Sequence, residues 1–364
     1  MKIKELINPL EKLAPPFLQE SYDNAGLLIG NSNAEVNKVL ICLDVTEEIL
    51  DEAISKNCQI IIAHHPLIFT GLKRITGKNM VERIVTKAIK NDIAIYAIHT
   101  NLDNVMGGVN SILCEKLGIK NPKILSPKEG LLRKLVIFCP LKEAPKVRQA
   151  IFDAGAGHIG NYDSCSFNTE GVGSFKALEG ASPFVGEKGK PHFENEVRIE
   201  SIYPIYKESE IIQALQTAHP YEEVAYDIYP LENKSFLTGA GMIGELNEEM
   251  EINDFLRDVK QKLNATHLRH NQLLHRKVKK IAICGGSGSF LINSASRQNA
   301  DIFITGDIKY HEFFEHQGEM TIVDAGHFET EQFTKELIHS FLIEKFPNFA
   351  VQISEINTNP VLFL

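Results

Sequence analysis

From Lys38 to Gly118 short, continuously apolar runs alternate with amphipathic segments, and this alternation restricts the fold more than any other feature. "KVLICLDV", "QIIIAHHP" and "IAIYAIHT" read as strands, and "TEEILDEAISKN", "MVERIVTKAIKN" and "VNSILCEKLG" read as helices. A strand with no polar face must be covered on both sides, as in a mostly parallel sheet wrapped by crossover helices. The rhythm returns late in the chain, where "KKIAICGG", "ADIFITGD", "MTIVDAGH" and "FAVQISE" read as strands with helices between them. The longest late helix is expected from near His327 to near Lys345, ahead of Pro347. Each half carries several such units, so the halves can be read as pseudo-repeats.

The middle of the chain follows another pattern. "LRKLVIFCP", a helical "KEAPKVRQAIFDAG" and a Gly-, Ser- and Asn-rich hairpin region from Gly155 to Gly189 come first. A strand "NEVRIESIYP", a helix "KESEIIQALQTAH" and a strand "EEVAYDIYPL" complete a ferredoxin-like order. Residues 131–231 are therefore expected to form a domain inserted into a two-lobed α/β host made of residues 1–130 and 232–364. A chain of 364 residues exceeds one ordinary core, which agrees with two or three domains.

Composition narrows the function. A formal charge of −9 and the lack of a strong basic cluster disfavour nucleic-acid binding. No run approaches the roughly 18 apolar residues of a membrane span, and the start lacks a signal-peptide core. The six cysteines include no Cys-x-x-Cys pair and several sit in apolar runs, which fits reduced thiols and a cytoplasmic location.

Ligands on such a sheet gather beyond the carboxyl ends of its strands. Four runs place metal-type residues there: His64 and His65; His99, Thr100 and Asp103; Asp307 with His311; and His327 with Glu331. Each has an ordinary alternative. His64 and His65 can be one buried and one surface ring, Asp103 can cap a helix or close a turn, and His327 with Glu331 can be a surface pair. Position favours chemistry, because His327 and Glu331 share one face of a first helical turn and adjacent histidines point in opposite directions. Imidazole plus carboxylate suits borderline divalent ions, zinc first, with manganese or iron as alternatives. His311 reads equally as an acid/base residue near the metals or as a residue on a solvated helix face. Tyr22, Asp23 and Asn24 either line the same cleft or form a turn. "CGGSGSF" (Cys284 to Phe290) is expected to be a tight turn rather than an anion cradle, lacking the Walker lysine. His219, at the end of a helix in the insert, is not expected to be a ligand.

"SYDNAGLLIG", "AHHPLIF", "HTNLD", "TGDIKYH" and "DAGHFETE", in that order, resemble the motifs of the Nif-three-like family, whose members are labelled GTP cyclohydrolase 1 type 2 homologues. The resemblance covers essentially the whole chain. "GAGHIGNYDSCSF" and "HPYEEVAYDIYPL" are similar to the extra domain of the longer bacterial members, which resembles PII-type and copper-tolerance-type folds. It implies two divalent metal ions per chain, held by His64, His65, Asp103, His327 and Glu331, with Glu331 bridging, and a toroidal homohexamer. Two functions are open: a metal-dependent hydrolase acting on a nucleotide, phosphate ester or other small anionic substrate, or a non-catalytic metal-binding assembly or sensor protein.

Overall fold

Strands Lys38–Cys42, Ile60–Ala63 and Ala94–Ala97 form where the continuous apolar runs fall, and every residue of the last two is buried. The computed structural model describes residues 1–274 and 276–364 of a mixed α/β protein. One unit comprises residues 1–127 and 237–364, and the other residues 128–236.

The first unit contains two sheets. In the first, the spatial order is Gly26–Ile29, Ala94–Ala97, Ile60–Ala63, Lys38–Cys42 and Ala350–Ile353. All its pairings are parallel except that of Gly26–Ile29. Helices Glu47–Ser55 and Met80–Lys90 start where Thr46 and Asn79 accept hydrogen bonds from the first-turn amides of Ile49 and Glu82. Their Ile49, Leu50, Ile84 and Val85 pack on Leu40, Ile61 and Ile95 of the sheet. Each such side chain contributes about 1.5–3 kcal/mol of burial.

The second sheet runs Arg269–His270, Thr321–Asp324, Ile302–Gly306, Lys277–Ser287, Ser235–Glu251, Lys120–Lys128. It is less parallel than the sequence pattern suggests. The three strands from Lys277–Ser287 to Thr321–Asp324 are parallel, whereas Arg269–His270 and Ser235–Glu251 pair antiparallel to them. The halves of the chain also interlock. Ala350–Ile353 joins the first sheet beside Lys38–Cys42, and Lys120–Lys128 joins the second.

The single long helix expected after His327 is two helices, His327–Glu331 and Thr334–Lys345. The side chain of Gln332 donates to Leu263 O at 2.8 Å, and Phe333 packs on the core of the second sheet. The next helix instead lies against Lys38–Cys42 and Ala350–Ile353 of the first sheet, so the chain must turn between them.

Residues 128–236 have their own core, including Leu135, Ile137, Val147, Ile199, Ile211 and Leu215. The elements run strand, helix, strand, strand, helix, strand. The four strands are antiparallel in the spatial order Phe167–Lys176, Pro191–Pro204, Leu132–Pro140, Tyr226–Leu231. His219 is a structural residue here: Nε2 donates to Phe138 O at 3.1 Å and Nδ1 accepts from the Tyr221 amide at 3.1 Å. Among the described residues no helix is long and apolar enough to cross a membrane, and the six cysteines are free.

Candidate metal centre

The carboxyl ends of strands from both sheets of the first unit deliver one cluster of polar side chains. His64 and His65 follow Ile60–Ala63, and their amides continue the ladder to Cys42 O and Leu43 O at 3.3 and 2.9 Å. His99 follows Ala94–Ala97 and leads into the short helix Thr100–Asp103. From the second sheet, Thr321–Asp324 leads to the helix His327–Glu331. Among the described residues, ligand-type atoms lie within 4.8 Å of one another in three groups that could hold a metal ion: His64, His65 and His99; His65, His327 and Glu331; His64, Asp103 and Glu331.

Each imidazole is held by its Nδ1. His64 Nδ1 donates to Ile98 O at 2.9 Å, and His65 Nδ1 to Asp44 Oδ1 at 2.7 Å. His99 Nδ1 donates to Asp23 Oδ1 at 2.8 Å, and His327 Nδ1 to Asp307 Oδ2 at 2.7 Å. Such contacts set the ring orientation and reserve Nε2 for the interior, the usual support of a metal-binding histidine. The carboxylate of Glu331 divides between two groups. Its Oε1 lies 3.7 Å from His64 Nε2, and its Oε2 lies 2.9 Å from His65 Nε2 and 3.0 Å from His327 Nε2. His64 Nε2 and Asp103 Oδ1 face each other at 3.7 Å, and both are buried without a hydrogen-bond partner among the described residues. Buried polar atoms are rarely left unsatisfied, so this pair fits the two sides of a cation.

The charges tell the same story. Burial opposes a charge on His65, but Asp44 and Glu331 outweigh it and push the imidazole up to about 10. His327 rises to about 9, burial being overcome by Glu331 and Asp307. His64, fully buried, is driven down by desolvation. Burial and the neighbouring Glu331 push Asp103 well above the usual carboxylate range, whereas the imidazoles of His327, His64 and His65 overcome burial and hold Glu331 well below it. A site that raises two imidazoles toward the charged form and opposes the charge of a buried carboxylate is short of positive charge, which bound cations would supply.

The cluster opens into a cavity of about 1070 Å³. Among the described residues, seven carboxylates line it against four histidines and one arginine, Arg269, whose guanidinium is engaged by Asp324 and Ile308 O. Aromatic rings of Tyr22, Phe69, Phe290 and Phe363 stand exposed around the cluster. Asp23 belongs to the site as the partner of His99, and Thr100 also binds it. Burial opposes ionisation of Asp23, but His99 and Thr100 bring its carboxyl down to about 2. His311 stands on the short helical turn Tyr310–Phe314 with its ring 5.1 Å from that of Tyr310, and it is not among the residues that line the cavity.

The sequence places His99 among the metal-type residues at strand ends, but the expected set of ligands left it out, and Asp44 was not expected as the partner of His65. The sequence does hold a signal for the first, because His99 follows an apolar strand just as His64 does. The "GG" of "CGGSGSF" also has a role in the site. Gly286 has φ +62°, and a Cβ there would stand 2.1 Å from Glu331 Oε1. The strand end must be bare for Glu331 to occupy its place. Gly306 is bare for a related reason, since its Cβ would lie 2.7 Å from the amide nitrogen of His327.

A mixed α/β unit whose strand ends gather inward-facing imidazoles around a shared buried carboxylate offers a set of donors that could hold metal ions. The chain belongs to the Duf34/NIF3 (NGG1p interacting factor 3) family, whose model matches residues 1–360. It is 41% identical over 369 residues to a Bacillus subtilis protein named GTP cyclohydrolase 1 type 2 homolog, covering 99% of this chain and 98% of the relative. A Halalkalibacterium halodurans protein of the same name is 40% identical over 366 residues, with 99% and 98% covered. Among solved structures, a Bacillus cereus protein related to NIF3 matches with a TM-score of 0.89 at 44% identity, over 100% of this chain and 99% of that one. A Staphylococcus aureus protein matches with a TM-score of 0.79 at 34% identity, again over 100% and 99%.

Proposed function

We propose that the protein is a metal-dependent hydrolase of a small anionic substrate, such as a nucleotide or phosphate ester, with two divalent ions per chain. His64, Asp103 and Glu331 would hold one ion, and His65, His327 and Glu331 would hold the other. The observation that carries this reading is the division of the Glu331 oxygens between two groups of donors. Nitrogen and carboxylate donors with room left over favour zinc, with manganese or iron next. When bound, such a pair supplies Lewis-acid stabilisation of the oxygens exchanged in a displacement.

The chain's own residues do the rest. Ile98 O, Asp44, Asp23 and Asp307 hold the imidazoles in one orientation. The acidic lining repels anions until cations neutralise it, which makes substrate binding contingent on metal. The exposed rings of Phe69, Tyr22 and Phe290 suit a planar, base-like group. The names of the relatives agree with a nucleotide substrate.

A second reading, a metal-binding sensor or assembly protein without catalysis, draws on residues 128–236. Their order of strands supports a ferredoxin-like, PII-type insert with its own core. The test is turnover of nucleotides and phosphoesters by metal-loaded wild type, His64→Ala and chelated protein. Hydrolysis confined to loaded wild type supports the enzyme. Equal turnover in all three marks contamination, and silence of fully loaded protein across a broad panel favours the sensor.

A further inference from the structure

The segment that follows strand Ala350–Ile353 leaves the first sheet and passes along the cavity, where Thr358, Asn359, Pro360, Val361 and Phe363 form part of the lining. Its path is anchored. The Ser354 amide donates to Ile41 O at 2.8 Å, and the Ser354 hydroxyl donates to Glu52. Between exposed Asn357 and Pro360, the two residues Thr358 and Asn359 turn inward and are half-buried.

Each reaches the support of a different side of the metal centre. The Thr358 hydroxyl donates to Asp44 Oδ2 at 2.7 Å, while Asp44 Oδ1 accepts from His65 Nδ1 at 2.7 Å. The carboxylate is therefore held at both oxygens and can turn only if one contact breaks. Asn359 Nδ2 donates to Glu329 Oε1 at 3.0 Å, and Asn359 Oδ1 accepts from the Val361 amide at 3.1 Å. Glu329 sits in the helix His327–Glu331 that carries two of the candidate ligands. Asp44 comes from the first sheet and Glu329 from beyond the second, so consecutive residues of one strap tie together the two sides from which the donors come.

We propose that Thr358 and Asn359 are positioning residues for the metal centre: the strap locks the Asp44–His65 pair and the His327–Glu331 helix at a fixed separation and controls how readily the ion between them is lost. This rests on the metal-centre reading above. A supporting partner of a metal-bound histidine is worth about 10–100-fold in affinity, and Thr358 acts on that partner.

The experiment uses full-length protein, with Zn²⁺ for affinity and release into a chelator and Co²⁺ for its visible ligand-field spectrum. The variants are Thr358→Val, Thr358→Ser and Asn359→Ala. Thr358→Val is expected to weaken one of two ions by about tenfold, to speed its release, and to change the Co²⁺ spectrum of that site alone. Thr358→Ser should restore wild-type behaviour, because it keeps the hydroxyl. Asn359→Ala, which loses a half-exposed side chain, should speed release of the same ion. A wild type that takes up two ions, with Thr358→Val and Asn359→Ala indistinguishable from it, overturns the inference and leaves the metal centre standing. So does a Thr358→Ser variant no better than Thr358→Val. A wild type that binds no Zn²⁺ overturns the metal centre and the strap's role with it.

Discussion

Loading the metal-free protein with Zn²⁺ should expel protons in a number set by the site. His65, at about 10, and His327, at about 9, both carry a proton at pH 7 in the metal-free protein. A metal ligand must be a neutral imidazole, so each must lose that proton on loading. About two protons per chain are therefore expected from the imidazoles. Two released protons make the apparent affinity of the fully loaded state rise about a hundredfold per pH unit. The rise should flatten as pH passes about 9 and then about 10, where the imidazoles are already neutral. Titration calorimetry in buffers of different ionisation enthalpy counts the protons directly. Competition against a chelator across pH gives the slope.

The stability of the metal-free protein carries the matching sign. Both folded-state values lie above the ordinary 6.5, so the stabilisation is complete below that pH and is lost as pH rises through about 9 and 10. His64, lowered by burial, has the opposite sign and costs stability only on the acid side. Melting temperatures of metal-free and loaded protein should thus diverge as pH rises from neutral. Release of less than one proton at pH 7, or affinity flat across the neutral range, would refute the claim that Glu331 and its flanking carboxylates keep these rings charged.

Glu331→Ala should cost both ions while Asp103→Ala mainly empties one, and elemental analysis finding two ions in Glu331→Ala rules out a bridging role. Gly286→Ala should displace the Glu331 carboxylate, because the new Cβ would sit 2.1 Å from Oε1; retention of both ions at wild-type affinity would show that the carboxylate has room to move. Residues 128–236 should fold when expressed alone, since their core closes on itself; a spectrum without dispersed amide resonances contradicts this. Thr46→Ala should lower stability by about 1 kcal/mol through loss of a helix cap, measured by denaturant midpoint, with metal content unchanged.

The alternation of apolar strands and amphipathic helices was legible because burial on both faces leaves a local mark in every strand. For the same reason His64, His65, Asp103, His327 and Glu331 could be singled out as residues just past strand ends, and the structure brings those five into one cluster. The tertiary structure decided what depends on distant parts of the chain meeting. His65 and Glu331 are 266 positions apart, and nothing near either one specifies that Glu331 divides its oxygens between two groups. Asp44, Asp23 and Asp307 look like ordinary turn carboxylates until the rings they hold arrive beside them. The bare Gly286 reads as a turn until Glu331 fills the space against it. The crossing of Ala350–Ile353 to the first sheet, which sends Thr358 and Asn359 across the cavity, is likewise a matter of strand order. Strand order depends on which edges remain free in the folded sheet, and an apolar run carries no local record of its neighbour.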